Sequence, residues 1–113
     1  MAPRRASASE PAASAAVFSA LGDETRLGLV TRLSHDGPMS ITRLSAGLPV
    51  TRQAVTKHLR VLERAGVVRS LTEGREIVWH VERRRLAQAQ SDLQAIARQW
   101  GSTLQRLKKF VEG

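Results

Sequence analysis

The sequence predicts a mainly helical α+β domain, with four helices, a two-stranded hairpin and then a fifth, much longer helix. Three observations carry that prediction. Up to residue 66, short apolar segments at helical spacing are separated by breaks containing glycine and proline. Two runs rich in β-branched residues, VVRSLT and EIVWHV, flank Glu73-Gly74-Arg75. Residues 84–111 then carry apolar residues in an a/d heptad register over nearly four heptads, with Thr103 as its weakest member. At 113 residues the chain supports one small domain. Residues 1–13, rich in Ala, Ser and Pro, read as a disordered N-terminal tail, and residues 14–113 as the folded domain.

The elements follow in order. Residues 14–21 predict a short helix with Val17, Phe18 and Leu21 on one face; Gly22 stops it and Asp23 caps the next. Residues 24–34 place Leu27, Leu29, Val30 and Leu33 in one arc, a core-facing helix that ends at His35-Asp36-Gly37-Pro38. Ser40 caps a short helix bearing Ile41 and Leu44, and Gly47-Leu48-Pro49 closes it. Thr51 caps TRQAVTKHLRVLERAG, whose apolar line is Val55, Leu59 and Leu62, and Gly66 ends that helix. Gly74 supplies the positive φ that a tight hairpin needs.

The terminal segment has the clearest period. Leu86, Leu93, Trp100 and Leu107 recur every seven residues, and Ala89, Ile96, Thr103 and Phe110 recur three residues later, with Leu104 beside Thr103. A helix of that length, roughly 40 Å, exceeds what one small core covers. The stripe therefore predicts a homodimer, with Leu86, Ala89, Leu93, Ile96, Trp100, Leu104 and Leu107 at the seam and Val17, Phe18 and Leu21 of the first helix alongside.

The formal net charge is +8, and five of those charges fall within residues 51–85. Such a concentration favours a polyanionic partner. Residues 40–65 form two short helices about a Gly-Leu-Pro turn, and the second shows Arg52, Gln53 and Thr56 on its early outer face, flanked by Lys57 and Arg60. Arginine and glutamine are the side chains that read guanine and adenine edges in the major groove. Thr51 and Thr56 suit base edges or phosphates, and the following hairpin offers Arg75 at its tip with Gly74 permitting close approach. The expected partner is double-stranded DNA.

Other classes find less support. The chain has no cysteine, which excludes disulfides, thiol sensing and thiolate metal sites. His35, His58 and His80 share no ligand spacing, so neither a metal nor any other cofactor is expected. No nucleophile elbow, phosphate loop or dinucleotide fingerprint occurs, and no enzyme is expected. No apolar run is long enough to span a membrane, and residues 1–16 lack the apolar centre of a secretory signal, so a cytoplasmic location is expected. Arg83-Arg84-Arg85 stands out, because three cations oppose the dipole at a helix N-terminus. Either the helix starts later, or the cluster meets phosphate or an acidic partner.

The order of elements, with ALGDETRLGLV, VTRQAVTKHLRVLERAGVV and the EGRE hairpin tip, resembles the ArsR/SmtB family of winged helix-turn-helix repressors over residues 15–110. The resemblance implies a sequence-specific transcriptional regulator, with Thr51, Arg52, Gln53, Thr56, Lys57 and His58 where the family contacts DNA. It also implies dimerisation through the first and last helices. Two departures set the chain apart. Thr42-Arg43-Leu44-Ser45 stands where metal sensors carry a Cys-x-Cys pair, and no histidine follows His80. The resemblance is therefore to the non-metal branch, with an organic ligand or a protein as the implied effector. Two alternatives fit the same residues: an architectural protein that binds DNA without sequence preference, and a winged helix that meets an acidic protein partner.

Overall fold

Eight elements succeed one another in residues 11–112, the part of the chain described by this computed structural model. They are α1 (Pro11–Leu21), α2 (Glu24–Asp36), β1 (Met39–Ser40), α3 (Ile41–Ser45), α4 (Arg52–Arg64), β2 (Val68–Glu73), β3 (Glu76–Val81) and α5 (Arg83–Glu112). The helices, the hairpin and their order are those expected. The start of α1 is a correction. Residues 11–13, read from sequence as tail, form its first turn, where proline is well tolerated because the N–H it lacks has no helical partner. The remainder of the predicted tail, residues 1–10, lies outside the described residues.

Local capping sets the helix starts. The Asp23 carboxylate accepts the Arg26 N–H at 3.0 Å, and Thr51 Oγ1 accepts the Ala54 N–H at 3.0 Å. Ser40 Oγ accepts from the Arg43 N–H at 3.4 Å. Each satisfies an N–H that the first helical turn leaves without a carbonyl. Gly66, at φ 79°, turns the chain out of α4 and into β2.

The sheet is antiparallel in the order β1-β3-β2 and so has a third strand that the sequence did not announce. Met39 pairs with Trp79, and both side chains are buried. A two-residue strand shows no alternation, which is why it escapes a periodicity reading.

The core lies between the helical half and the sheet. Leu29, Val30 and Leu33 of α2, Leu44 of α3 and Val55, Leu59 and Leu62 of α4 meet Met39, Val67, Val68 and Trp79. Leu27 departs from expectation, being 51% exposed. Three residues before Val30, it sits about 60° outside the arc that faces the core.

The thirty-residue α5 divides sharply along its length. Its first turns pack on α1: Ala89 is buried, Leu86 half-buried, and the Ser14 hydroxyl donates to the Asp92 carboxylate. From Leu93 onward the apolar stripe has no cover within the protomer. Leu93, Ile96, Leu104 and Leu107 are exposed, and Trp100 is 62% exposed.

Leu59, fully buried, tests the packing of α4. Leu59→Ala should lower the unfolding free energy by about 2–5 kcal/mol, read as a shift in urea midpoint without a change in slope. A loss below about 0.5 kcal/mol would contradict this account of the core.

Candidate nucleic-acid interface

The burial of Val55, Leu59 and Leu62 fixes the rotation of α4 about its own axis. Their opposite face must point outward, and Arg52, Gln53 and Lys57 on it are exposed. Thr56 is half-buried, and its hydroxyl donates to the Arg52 carbonyl at 3.0 Å. Exposed Thr51 completes the N-terminal end as the cap. The turn from α3, with Gly47 at φ 79° followed by Leu48-Pro49-Val50, presents that end to solvent.

The hairpin brings a second cation to the same side. Glu73 pairs with Glu76, leaving Gly74 and Arg75 as a two-residue loop. Gly74 has φ 66° and Arg75 a negative φ, the pattern of a II′ turn. Arg52 and Arg75 line one cleft of about 260 Å³ together with Ser40, Ile41, Thr42, Glu76 and Ile77. The start of the second helix of the pair and the tip of the wing therefore share one face. Thr42, exposed on α3 in this cleft, is a residue the sequence reading did not single out. Its signal was weak, one polar residue between Ile41 and Arg43 on a five-residue helix. Glu73 is drawn off by His80, 2.9 Å away, whereas Glu76 stays in the cleft.

Two of the proposed contacts are engaged elsewhere. His58 lies on the flank of α4 that faces α2, with Nδ1 3.3 Å from the Arg26 guanidinium and 3.8 Å from the Asp23 carboxylate. It belongs to a junction in which Arg26 Nε also donates to the Ala20 carbonyl at 2.6 Å, tying α1, α2 and α4 together. The Arg26 N–H holds the Asp23 carboxyl below its ordinary value, against some opposition from burial, with the Arg26 and His58 charges adding to the effect. Arg60, exposed like Lys57, donates to Glu63 at 2.9 Å and sits 5.3 Å over the Trp79 ring. Its guanidinium therefore lies between Glu63 and Trp79 in the protomer. The Arg60 bond is the main cause that holds the Glu63 carboxyl low; burial opposes it, and the Ser70 hydroxyl, donating at 3.0 Å, adds to it.

The dimer residues also divide. Val17 and Ala89 are buried in the protomer's own core. Leu21 and Leu86 are half-buried against the core, and Phe18 is partly exposed beside them. Leu93, Ile96, Trp100, Leu104 and Leu107 form the uncovered surface. Among the described residues no group of three or more His, Cys, Asp or Glu side chains is placed to hold a metal, and no helix is long and apolar enough to cross a membrane.

Comparison with known proteins places this geometry. Residues 21–70 match the helix-turn-helix domain family, a span that runs from the end of α1 into β2. The chain is 40% identical over 76 residues to the HTH-type transcriptional regulator Rv2034 of Mycobacterium tuberculosis, covering 67% of this chain and 70% of that one. It is 32% identical over 59 residues to the arsenical resistance operon repressor of Escherichia coli, covering 52% of this chain and 50% of that protein. Among solved structures, an ArsR-like transcriptional regulator from Rhodococcus sp. RHA1 superposes with a TM-score of 0.76 at 37% identity, over 88% of this chain and 92% of that one.

The lowered Glu63 pKa gives a pH prediction. A carboxyl that ionises more readily in the folded state adds stability above the ordinary carboxylate range, about pH 4–5. That contribution is lost as pH falls through and below the range. Glu63→Gln should therefore be less stable than the parent at pH 7, with the difference closing as pH falls below about 4. Urea midpoints of both proteins across pH 3–7 provide the check; a difference independent of pH would contradict it.

Proposed function

Because this chain belongs to the ArsR family of winged helix-turn-helix transcriptional regulators, it is a DNA-binding regulator of transcription, and we propose that it acts as a homodimeric repressor on a pseudo-palindromic operator. The observation that carries the reading is the shared outer face of α4 and the wing tip, where Arg52 and Arg75 border one cleft. In this reading the start of α4 enters the major groove. Arg52 and Gln53 read base edges, while Thr51, Thr56 and Lys57 hold the backbone. Arg75, carried by the tight turn at Gly74, reaches the adjacent minor groove or its phosphates.

The dimer is supported by the α5 stripe. An apolar surface running from Leu93 to Leu107 is costly in water, and a second copy buries it with Phe18 at its edge. The twofold axis then fixes the separation of two α4 helices, so half-sites lie about one helical turn apart. Repression is supported by the Escherichia coli relative, itself named a repressor. The proposal includes no catalysis, and no metal effector, because the chain has no cysteine and, among the described residues, no converging set of His, Asp and Glu side chains.

Electrophoretic titration against an operator fragment and a scrambled duplex tests the assignment. Arg52→Ala and Gln53→Ala should each lose about 1–3 kcal/mol of discrimination. Lys57→Ala should weaken both duplexes alike and reduce the salt slope by about one unit. Parallel losses for all three variants would contradict the division into reading and positioning residues, and would favour binding without sequence preference.

Leu93→Asp or Trp100→Asp should leave the protomer folded, since both side chains lie outside its core, yet abolish self-association and operator binding. Sedimentation velocity at micromolar concentration, with circular dichroism for folding, checks this. A variant that remains dimeric would exclude the α5 seam.

Zn(II), Ni(II), Cd(II) and arsenite at stoichiometric concentration should leave operator affinity unchanged. A chelator-reversible release by any of them would overturn the non-metal reading.

A further inference from the structure

The wing base, the end of α4 and the start of α5 enclose a second cleft, of about 390 Å³, lined by Glu63, Gly66, Val68, Arg69, Glu82, Arg84, Arg85 and Gln88. Its charges do not balance. The Glu82 carboxylate is taken by Arg69 at 2.7 Å, and the Glu63 carboxylate by Arg60 and Ser70. Among the described residues Arg84 and Arg85 have no carboxylate partner. The Arg85 guanidinium lies flat against Gly66, where an added Cβ would stand 3.1 Å from Cζ. Gly66 thus leaves the room in which that side chain rests at the cleft wall. Gln88, anchored by its amide to Asp92 at 3.2 Å, adds a polar group one turn along α5.

The position of the cleft sets these cations apart from the DNA face. The cleft opens at the C-terminal end of α4 and at the base of the hairpin. A thirteen-residue helix and six-residue strands each put roughly 20 Å between their two ends. Moreover, α5 begins at Arg83, so all three arginines sit in its first turn, where the helix dipole already disfavours positive charge. Arg83 finds the Ser34 carbonyl at 3.5 Å, leaving two guanidinium groups uncompensated in one concavity.

We propose that this cleft binds a small dianionic oxyacid, a dicarboxylate or a phosphate monoester, through Arg84 and Arg85. Two guanidinium forks in one pocket match two negative charges and favour planar or tetrahedral oxyanions through paired hydrogen bonds. The volume suits a metabolite-sized ligand. The bound anion contacts the end of α4, the wing and the dimer helix together, so its occupancy bears on how the reading helix sits relative to the twofold axis. That consequence rests on the regulator reading; the binding itself does not.

The test uses the full chain free of DNA. Amide spectra are recorded during titration with succinate, glycerol 3-phosphate or acetate, with sodium chloride holding ionic strength constant. Succinate or glycerol 3-phosphate should give saturable shifts confined to Gly66, Val68, Arg69, Glu82, Arg85 and Gln88, at least tenfold tighter than acetate. The tighter of the two identifies the ligand class. Arg84→Gln/Arg85→Gln should weaken that binding at least tenfold, whereas Arg75→Gln at the wing tip should not change it. Non-saturating shifts spread over the basic surface would overturn the proposal, as would equal responses to acetate and both dianions or unchanged binding in the double variant. Loss of operator binding by Arg75→Gln bears on the DNA reading alone.

Discussion

The rotation of α4 about its axis is the constraint on which the rest depends. Val55, Leu59 and Leu62 recur at i, i+4 and i+7, and all three are fully buried beneath α2, α3 and the sheet. Once they are inside, no freedom remains over what faces out. Arg52, Gln53 and Lys57 are displayed as a direct consequence of packing, on a helix held rigid by the core. Trp79 reinforces the arrangement from the sheet side, with Arg60 laid across its ring and Glu63 holding Arg60 in place. The wing is thereby attached to the helix whose outer face it extends.

A second set of contacts joins α4 to α1 and, through it, to α5. Arg26 reaches the Ala20 carbonyl and His58, while Asp23 caps α2 and lies near His58. The ALGDETR stretch is thus architectural, joining the end of α1, the start of α2 and the flank of α4. Because α1 packs on the beginning of α5, this junction connects α5 to α4 through packed contacts. The same logic explains why Val17 and Ala89 lie inside the protomer. They weld α1 to α5, and the exposed apolar stripe begins only where that weld ends, at Leu93.

What was legible in the sequence was mostly local. Asp23, Ser40 and Thr51 cap helices through bonds to residues three positions away, and Gly66 and Gly74 mark turns by their own conformations, so each can be read within a few residues. Heptad spacing revealed the α5 stripe but not which partner covers which part of it, since the same period serves an intrachain and an interchain contact. Leu86 and Ala89 went to the first, and Leu93 onward is uncovered within the protomer, the surface that the proposed dimer would bury. His58 and Arg60 sat on a helix face that composition marks as DNA-directed. Within the protomer His58 meets Asp23 and Arg26, and Arg60 meets Trp79, all distant in sequence; only the Arg60–Glu63 pair follows a local i, i+3 rule. The strand at Met39 escaped for a similar reason, because its only signature is a pairing with Trp79, far along the chain.

The central claim is that two copies of one packed unit present two α4 helices to one duplex at a spacing set by α5. Hydroxyl-radical footprinting of the DNA upstream of the gene tests it most directly. The account predicts a bounded site with two protected half-sites on one face of the duplex, their centres about 10–10.5 base pairs apart or a whole number of turns apart. Protection that spreads without boundary as protein is added, or a single isolated half-site protected at full affinity, would contradict it.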